Sequence, residues 1–199
     1  TGTAFAQHRL APALPAFRTR YPDIDLDLCI SDRRVDVIGE QIDVAIRTGP
    51  LADSSLIARR IGTSRRIIAA APSYLARRGT PAHPSDLANH DCLRISGASY
   101  LAEWPMRIDG QIVPWVVRGG LTCDSAQTLH ELAIAGLGIV RLAGFIMTEA
   151  LAEGRLVSLL DDYHAPEDVP FWALIPPGRQ SMPRVRAFVD FVAEIAQNK

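Results

Sequence analysis

Apolar positions recur at helical spacing near the start of the chain, where Leu10, Leu14, Phe17 and Tyr21 fall on one face and Pro22 closes the segment. The period then changes to two. Ile24-Asp25-Leu26-Asp27-Leu28-Cys29-Ile30 alternates apolar and polar residues, the signature of a half-buried strand. Asp32 is placed to cap a short helix carrying Val35 and Ile38. Strands follow over 42–46, ended by Gly49-Pro50, and over 66–71, before a short helix from Pro72. In the middle of the chain, Trp104, Met106 and Ile108 alternate up to an Asp109-Gly110 turn, which predicts an antiparallel hairpin. Cys92 to Ser96 and Trp115 to Thr122 read as strands. Asp124-Ser125 opens a helix with Leu129, Leu132 and Ala133 inside, and Gly136 stops it. A strand over 138–142, a helix over 145–153, strands over 156–160 and 171–175, and a last helix with Val185, Phe188, Val189, Val192 and Ile195 on one face complete the reading. Strands alternating with helices predict an α/β fold with largely parallel sheets, arranged as two such units without a long linker.

Composition narrows the function without fixing it. At 199 residues, 48% hydrophobic and 22% charged, the chain is of ordinary globular make-up, and a net charge of −1 gives no global attraction to DNA or to an anionic membrane. Lys199 is the only lysine, and the arginines are scattered among acidic residues rather than gathered in a patch. Cys29, Cys92 and Cys123 are odd in number and widely spaced, which predicts neither a disulfide framework nor a zinc site and fits a reducing cytoplasm. No apolar run approaches membrane-spanning length.

Tests for enzyme chemistry fail one by one. Gly136-Leu137-Gly138 lacks the third glycine of a dinucleotide fingerprint, with Arg141 in its place, and it follows a helix instead of a strand. His90-Asp91-Cys92 lacks a supporting motif, and neighbouring strand side chains point to opposite faces. His8, His83, His130 and His164 are dispersed without metal-ligand spacing, and Asp161-Asp162 reads as a solvated loop. No catalytic residue, cofactor or metal is expected.

Seven stretches, in order and spaced across nearly the whole chain, resemble LysR-type transcription regulators. They are 10–17 with Arg20-Tyr21-Pro22; Ser31-Asp32-Arg33-Arg34-Val35-Asp36 leading into 42–49; Ala71-Pro72-Ser73-Tyr74-Leu75; His90-Asp91-Cys92-Leu93; Ala135-Gly136-Leu137-Gly138-Ile139; Gly154-Arg155-Leu156-Val157; and 183–191. The resemblance implies two Rossmann-like lobes of the type 2 periplasmic-binding-protein kind. One lobe would hold residues 1–70 with 166–199 and the other 71–165, with an effector in the cleft between them. It also implies an N-terminal winged helix-turn-helix, absent from these 199 residues, through which the parent protein would bind promoter DNA as a cytoplasmic homodimer or homotetramer. Three positions depart from the family's habit: Gln41 where glycine is frequent, Ala143 where proline is frequent, and Ala4 where a polar residue is frequent. The alternative reading is a free-standing solute-binding protein or an enzyme of similar fold.

Ligands of open α/β sheets sit at the carboxyl ends of strands, and anions favour helix N-termini. Effector contacts are therefore expected from Thr1 and Thr3 before the first helix, from Ser31 and Asp32, and from Asp124 and Ser125. Each hydroxyl is equally explained as a helix cap. Arg141 interrupts an apolar strand and needs a partner, either an anionic effector or a nearby carboxylate. Trp104 is a candidate for the cleft wall or for the core. Together these residues suggest a small anionic metabolite.

Overall fold

The structure is a computed structural model that describes residues 1–51, 53–96, 101 and 103–197 of the chain. The chain divides into two compact units, Thr1–Ser64 with Asp168–Lys199, and Arg65–Glu167. The first boundary falls inside a single long strand, β2 (Ile57–Ala70), so the chain passes from one unit to the other at residue 64 and not at residue 70 as the sequence suggested.

In the first unit a helical segment begins with α1 (Thr3–Phe5), passes through a π-helical turn (Ala6–Leu10) and continues as α2 (Ala11–Arg20). The backbone stays right-handed helical across both junctions. The wide turn has a local cause: Pro12 and Pro15 lack the N–H that regular helical bonding needs, and Ala11 N–H reaches back to Ala6 O. Phe17 is fully buried, with rings of Phe188 and Phe191 at 5.6 and 5.0 Å, while Phe5 packs edge-on against Phe171. Strand β1 (Ala45–Thr48) pairs antiparallel with β9 (Asp168–Ile175), with Ile46 opposite Ala173. The C-terminal helix, named α6 in chain order (Pro183–Gln197), buries Val185, Val189, Val192 and Ala196 at helical spacing, as its sequence pattern predicts.

Two expectations fail here. Residues 24–30 are extended but join no strand ladder; their backbone is held at one end by Thr1, whose N–H reaches Cys29 O at 2.8 Å and whose carbonyl accepts from Ser31 N–H at 2.9 Å. Leu28 and Ile30 consequently remain exposed. Nor does a helix form around Val35 and Ile38. Asp36 instead takes the Ile38 and Gly39 N–H groups and closes a turn, in which Gln41 sits at a positive φ of 55°.

The second unit is built on the C-terminal half of β2, which pairs antiparallel with β7 (Ile139–Ala143). β7 runs parallel to β3 (Cys92–Ile95), and β3 parallel to β6 (Thr122–Cys123). A short strand, β8 (Val157–Ser158), closes the other side of β2. Helices α3 (Pro72–Arg78), α4 (Ala126–Ile134) and α5 (Gly144–Ala152) complete it. The expected hairpin forms as β4 (Glu103–Ile108) and β5 (Gln111–Val116), turning at Asp109 and Gly110, both at positive φ. Trp115 belongs to this hairpin and not to a strand running on to Thr122. After Val116 the chain leaves the ladder to lay Gly119 against the Cys92 backbone, so closely that a Cβ there would meet Cys92 O at 2.0 Å.

Candidate functional site

The first cluster of expected contact residues forms where the extended segment 24–30 meets the helix start. Asp32 does not cap a helix of its own. Its Oδ1 accepts from Thr3 N–H at 2.9 Å, so it caps α1 from a distant loop. Gly2 lies beside the same oxygen, where a Cβ would approach to 3.0 Å. Ser31 Oγ accepts from Arg33 N–H at 3.2 Å, and Arg47 donates to Arg33 O at 3.0 Å, which fixes the loop from β1. Thr1, Thr3, Ser31 and Asp32 are thus brought to one place, around a helix start whose anion-favouring position is already held by the Asp32 carboxylate.

The second cluster lies at the start of α4. Ser125 is its N-cap: its Oγ accepts from Thr128 N–H at 3.3 Å and its carbonyl from Leu129 N–H at 3.1 Å. Capping uses the hydroxyl oxygen as acceptor and leaves the hydroxyl hydrogen available to a ligand. Ser125 N–H points to Cys123 Sγ at 3.4 Å, and Asp124 is exposed at the bend before it.

Two expected contact residues are placed elsewhere. Trp104 is 2% exposed and packs in the core of the second unit with Tyr74, Leu87, Met106 and Ile139. Arg141 is buried because it has a protein partner. It donates to Glu167 and, through Nε, to His164 Nε2 at 2.9 Å. Glu167 takes a second guanidinium, Arg66, at 3.1 Å. Burial works against the Glu167 carboxylate, but Arg141 and Arg66 together hold its pKa below the usual value. His164 is pushed down to about 4, by burial first and by Arg141 second, which leaves its Nε2 free to accept. Arg141 is therefore engaged by protein partners, in a group that sets two guanidinium charges against the Glu167 carboxylate.

Sequence reasoning foresaw a counter-charge for Arg141 but missed the partners, Glu167, His164 and Arg66. Arg66 stands directly before the apolar run Ile67-Ile68-Ala69-Ala70, and that position in the strand was its one signal. Glu167 and His164 sit in a loop whose composition looked merely solvated. Among the described residues, no group of three or more His, Cys, Asp or Glu is arranged to hold a metal ion, and no helix is long and apolar enough to cross a membrane.

Comparison with known proteins gives these clusters their context. A family model described as the LysR substrate binding domain matches residues 1–197. The HTH-type transcriptional regulator CrgA of Neisseria meningitidis serogroup B is 36% identical over 187 residues, covering 94% of this chain and 62% of that protein. DmlR of Escherichia coli, also an HTH-type transcriptional regulator, is 31% identical over 191 residues, covering 96% and 62%. The chain thus spans less than two thirds of the length of these relatives. Among solved structures, the regulatory domain of CrgA superposes with a TM-score of 0.90 at 35% identity, covering 97% of this chain and 94% of that one. The effector domain of the Pseudomonas aeruginosa regulator AmpR gives 0.80 at 25% identity, covering 98% and 93%. With a family model spanning almost every residue and regulatory domains as structural relatives, the chain belongs to the LysR substrate-binding domain family.

Proposed function

We propose that this chain is the effector-sensing part of a transcription regulator. It binds a small metabolite through hydroxyl and backbone N–H groups and performs no chemistry on it. The observation that carries the reading is the second cluster: Ser125 caps α4 and keeps a hydroxyl hydrogen to offer at the carboxyl end of β6, the position where α/β sheets take ligands. Thr1, Thr3, Ser31 and Asp32 form the corresponding cluster of the first unit. The anionic effector suggested by the sequence loses two of its supports, because Asp32 fills the anion position at the start of α1 and Arg141 is buried against Glu167 and His164. The ligand favoured instead is polar, with no requirement for negative charge. A ligand with different affinities for two arrangements of the domain would shift their populations, and so signal without a reaction.

The parent protein would bind promoter DNA through a helix-turn-helix outside these residues, in the cytoplasm, as a dimer or tetramer. With a net charge of −1 and no basic recognition helix, the chain itself is not the part that binds DNA specifically. The test is a thermal-shift screen of polar metabolites, grouped by charge, on wild type, Ser31→Ala and Ser125→Ala. A neutral or zwitterionic compound should stabilise wild type and lose its effect in at least one variant. If only anions stabilise the protein, and both variants respond as wild type does, the reading is wrong.

A further inference from the structure

Away from both clusters, the second unit carries a shallow bowl with a volume of about 420 Å³, lined by Arg78, Asn89, His90, Asp91, Arg118 and Gly119. Three separate parts of the chain deliver its polar groups. Arg78 comes from the end of α3, His90 from the loop before β3, and Arg118 from the loop after β5. The floor is rigid. Cys92 N–H donates to Arg118 O at 3.1 Å, and Gly119 is pressed so close to Cys92 that no other residue fits there.

The groups in this bowl are not all accounted for by the fold. Arg118 is exposed and has neither hydrogen bond nor ion pair from its side chain among the described residues. Arg78 donates to Asn89 O at 3.0 Å and stands 3.7 Å from the Asp91 carboxylate, a loose pairing. Two guanidinium groups therefore face one carboxylate. A third, Arg94, reaches Gly119 O at 3.3 Å from behind, with its buried Nε unpartnered. His90 is 8% exposed, and its Nδ1 is engaged by Tyr74 OH at 3.1 Å. That hydroxyl accepts from Asp91 N–H at 2.9 Å and, buried with its residue, has no acceptor for its own hydrogen among the described residues except Nδ1. The tautomer follows: Nδ1 is the acceptor, and Nε2 carries the proton with no partner among the described residues. A solvent-reached imidazole nitrogen that makes no hydrogen bond among the described residues, beside an excess of guanidinium charge, points to a ligand with several acceptor oxygens.

We propose that this bowl binds a small phosphate-type oxyanion, with Arg118 and Arg78 supplying charge and His90 Nε2–H a directed hydrogen bond. Donors arriving from three chain segments suit a tetrahedral group better than a planar carboxylate, which a single guanidinium fork satisfies. Asp91 is the opposing element and sets the affinity low. His90 also feels Arg78, Asp86 and Asp91; its pKa is lowered from the ordinary value, by burial first and Arg78 second, and a bound anion will raise it.

The experiment is an NMR titration of the whole chain at constant ionic strength with inorganic phosphate, with glycerol phosphate as a monoester, and with acetate. Phosphate or the monoester should shift the amides of residues 89–91 and 118–119 and raise the His90 pKa; the tighter of the two identifies the source of the group. Arg118→Gln, which removes a solvent-exposed side chain, should weaken binding about tenfold, the effect of one charge-assisted contact. Asp91→Asn should tighten it several-fold, an outcome that damage to the fold would not produce. Ser125→Ala should leave it unchanged, which separates this site from the effector clusters. Acetate binding as tightly as phosphate, phosphate leaving these amides and the His90 pKa unmoved, or equal affinity in Arg118→Gln and Asp91→Asn would each overturn the proposal.

Discussion

Replacing Glu167 by Gln should harm the domain more than replacing Arg141 by Met, although arginine is the larger and more deeply buried partner. Glu167 pairs with two guanidinium groups, Arg141 and Arg66, whose side chains are 1% and 8% exposed. Removing its charge leaves two cations facing each other out of water. Breaking a buried pair from one side costs about 3–5 kcal/mol, and the 31% exposure of Glu167 places this case at the low end, about 3 kcal/mol. Arg141→Met removes a cation but leaves Glu167 paired with Arg66, and methionine keeps much of the stem's packing. The loss is about two charged hydrogen bonds, offset by one fewer buried charge, or about 1–2 kcal/mol net. Urea unfolding at pH 7, followed by the fluorescence of the three tryptophans, two of which (Trp104 and Trp115) lie in the same unit, measures both. With a slope of about 3 kcal/mol per molar urea for a chain of this size, Glu167→Gln should lower the midpoint by about 1 M and Arg141→Met by about half that. The double variant should lie above the sum of the two losses. A midpoint for Glu167→Gln close to wild type, or a larger loss for Arg141→Met, would refute this account of the cluster.

Two other perturbations follow from local geometry. Gln41 stands at φ 55°, a conformation that costs a non-glycine residue about 1 kcal/mol, so Gln41→Gly should be stabilising by about 0.5 kcal/mol after the added chain entropy of glycine, read as a melting temperature about 1–2 °C higher. Acid should weaken the fold through His164. Its pKa is about 4 when folded and 6.5 in the open chain, so the unfolded state takes a proton that the folded state refuses, and stability is lost as pH falls from 6.5 to 4. At pH 5 the loss is about 1–2 kcal/mol after allowing for solvent screening. Glu167, whose pKa is also lowered, adds a further loss in the carboxylate range, and His164→Gln should remove the first part of the pH dependence while leaving the second.

What the sequence revealed depended on whether the deciding interactions were local. The helix around Phe17, the Asp109-Gly110 hairpin, the Ser125 cap and the buried face of the last helix all follow from neighbours within a few residues, and all are present. The helix expected at Asp32 failed because its carboxylate was claimed by Thr3 N–H, 29 positions away. Trp104 was ambiguous because an alternating strand shows which residues share a face, without showing whether a core or a ligand covers it. Arg141 declared its need for a counter-charge, but Glu167, 26 positions later, is brought to it only by the fold. Of the two proposed clusters, the one at Ser125 was legible as a strand-to-helix junction, while the one at Thr1 and Asp32 was not, because it depends on a contact between distant parts of the chain.

The central claim is that a small metabolite is held at the Thr1–Asp32 cluster or the Ser125 cluster, by residues that are not the buried ionic group. Amide hydrogen exchange with and without a stabilising metabolite tests it most directly. The account predicts slowed exchange in residues 1–5 and 29–33 or in 123–129, with Arg141→Met retaining that protection. Protection confined to residues 139–143 and 164–167, and abolished by Arg141→Met, would contradict it.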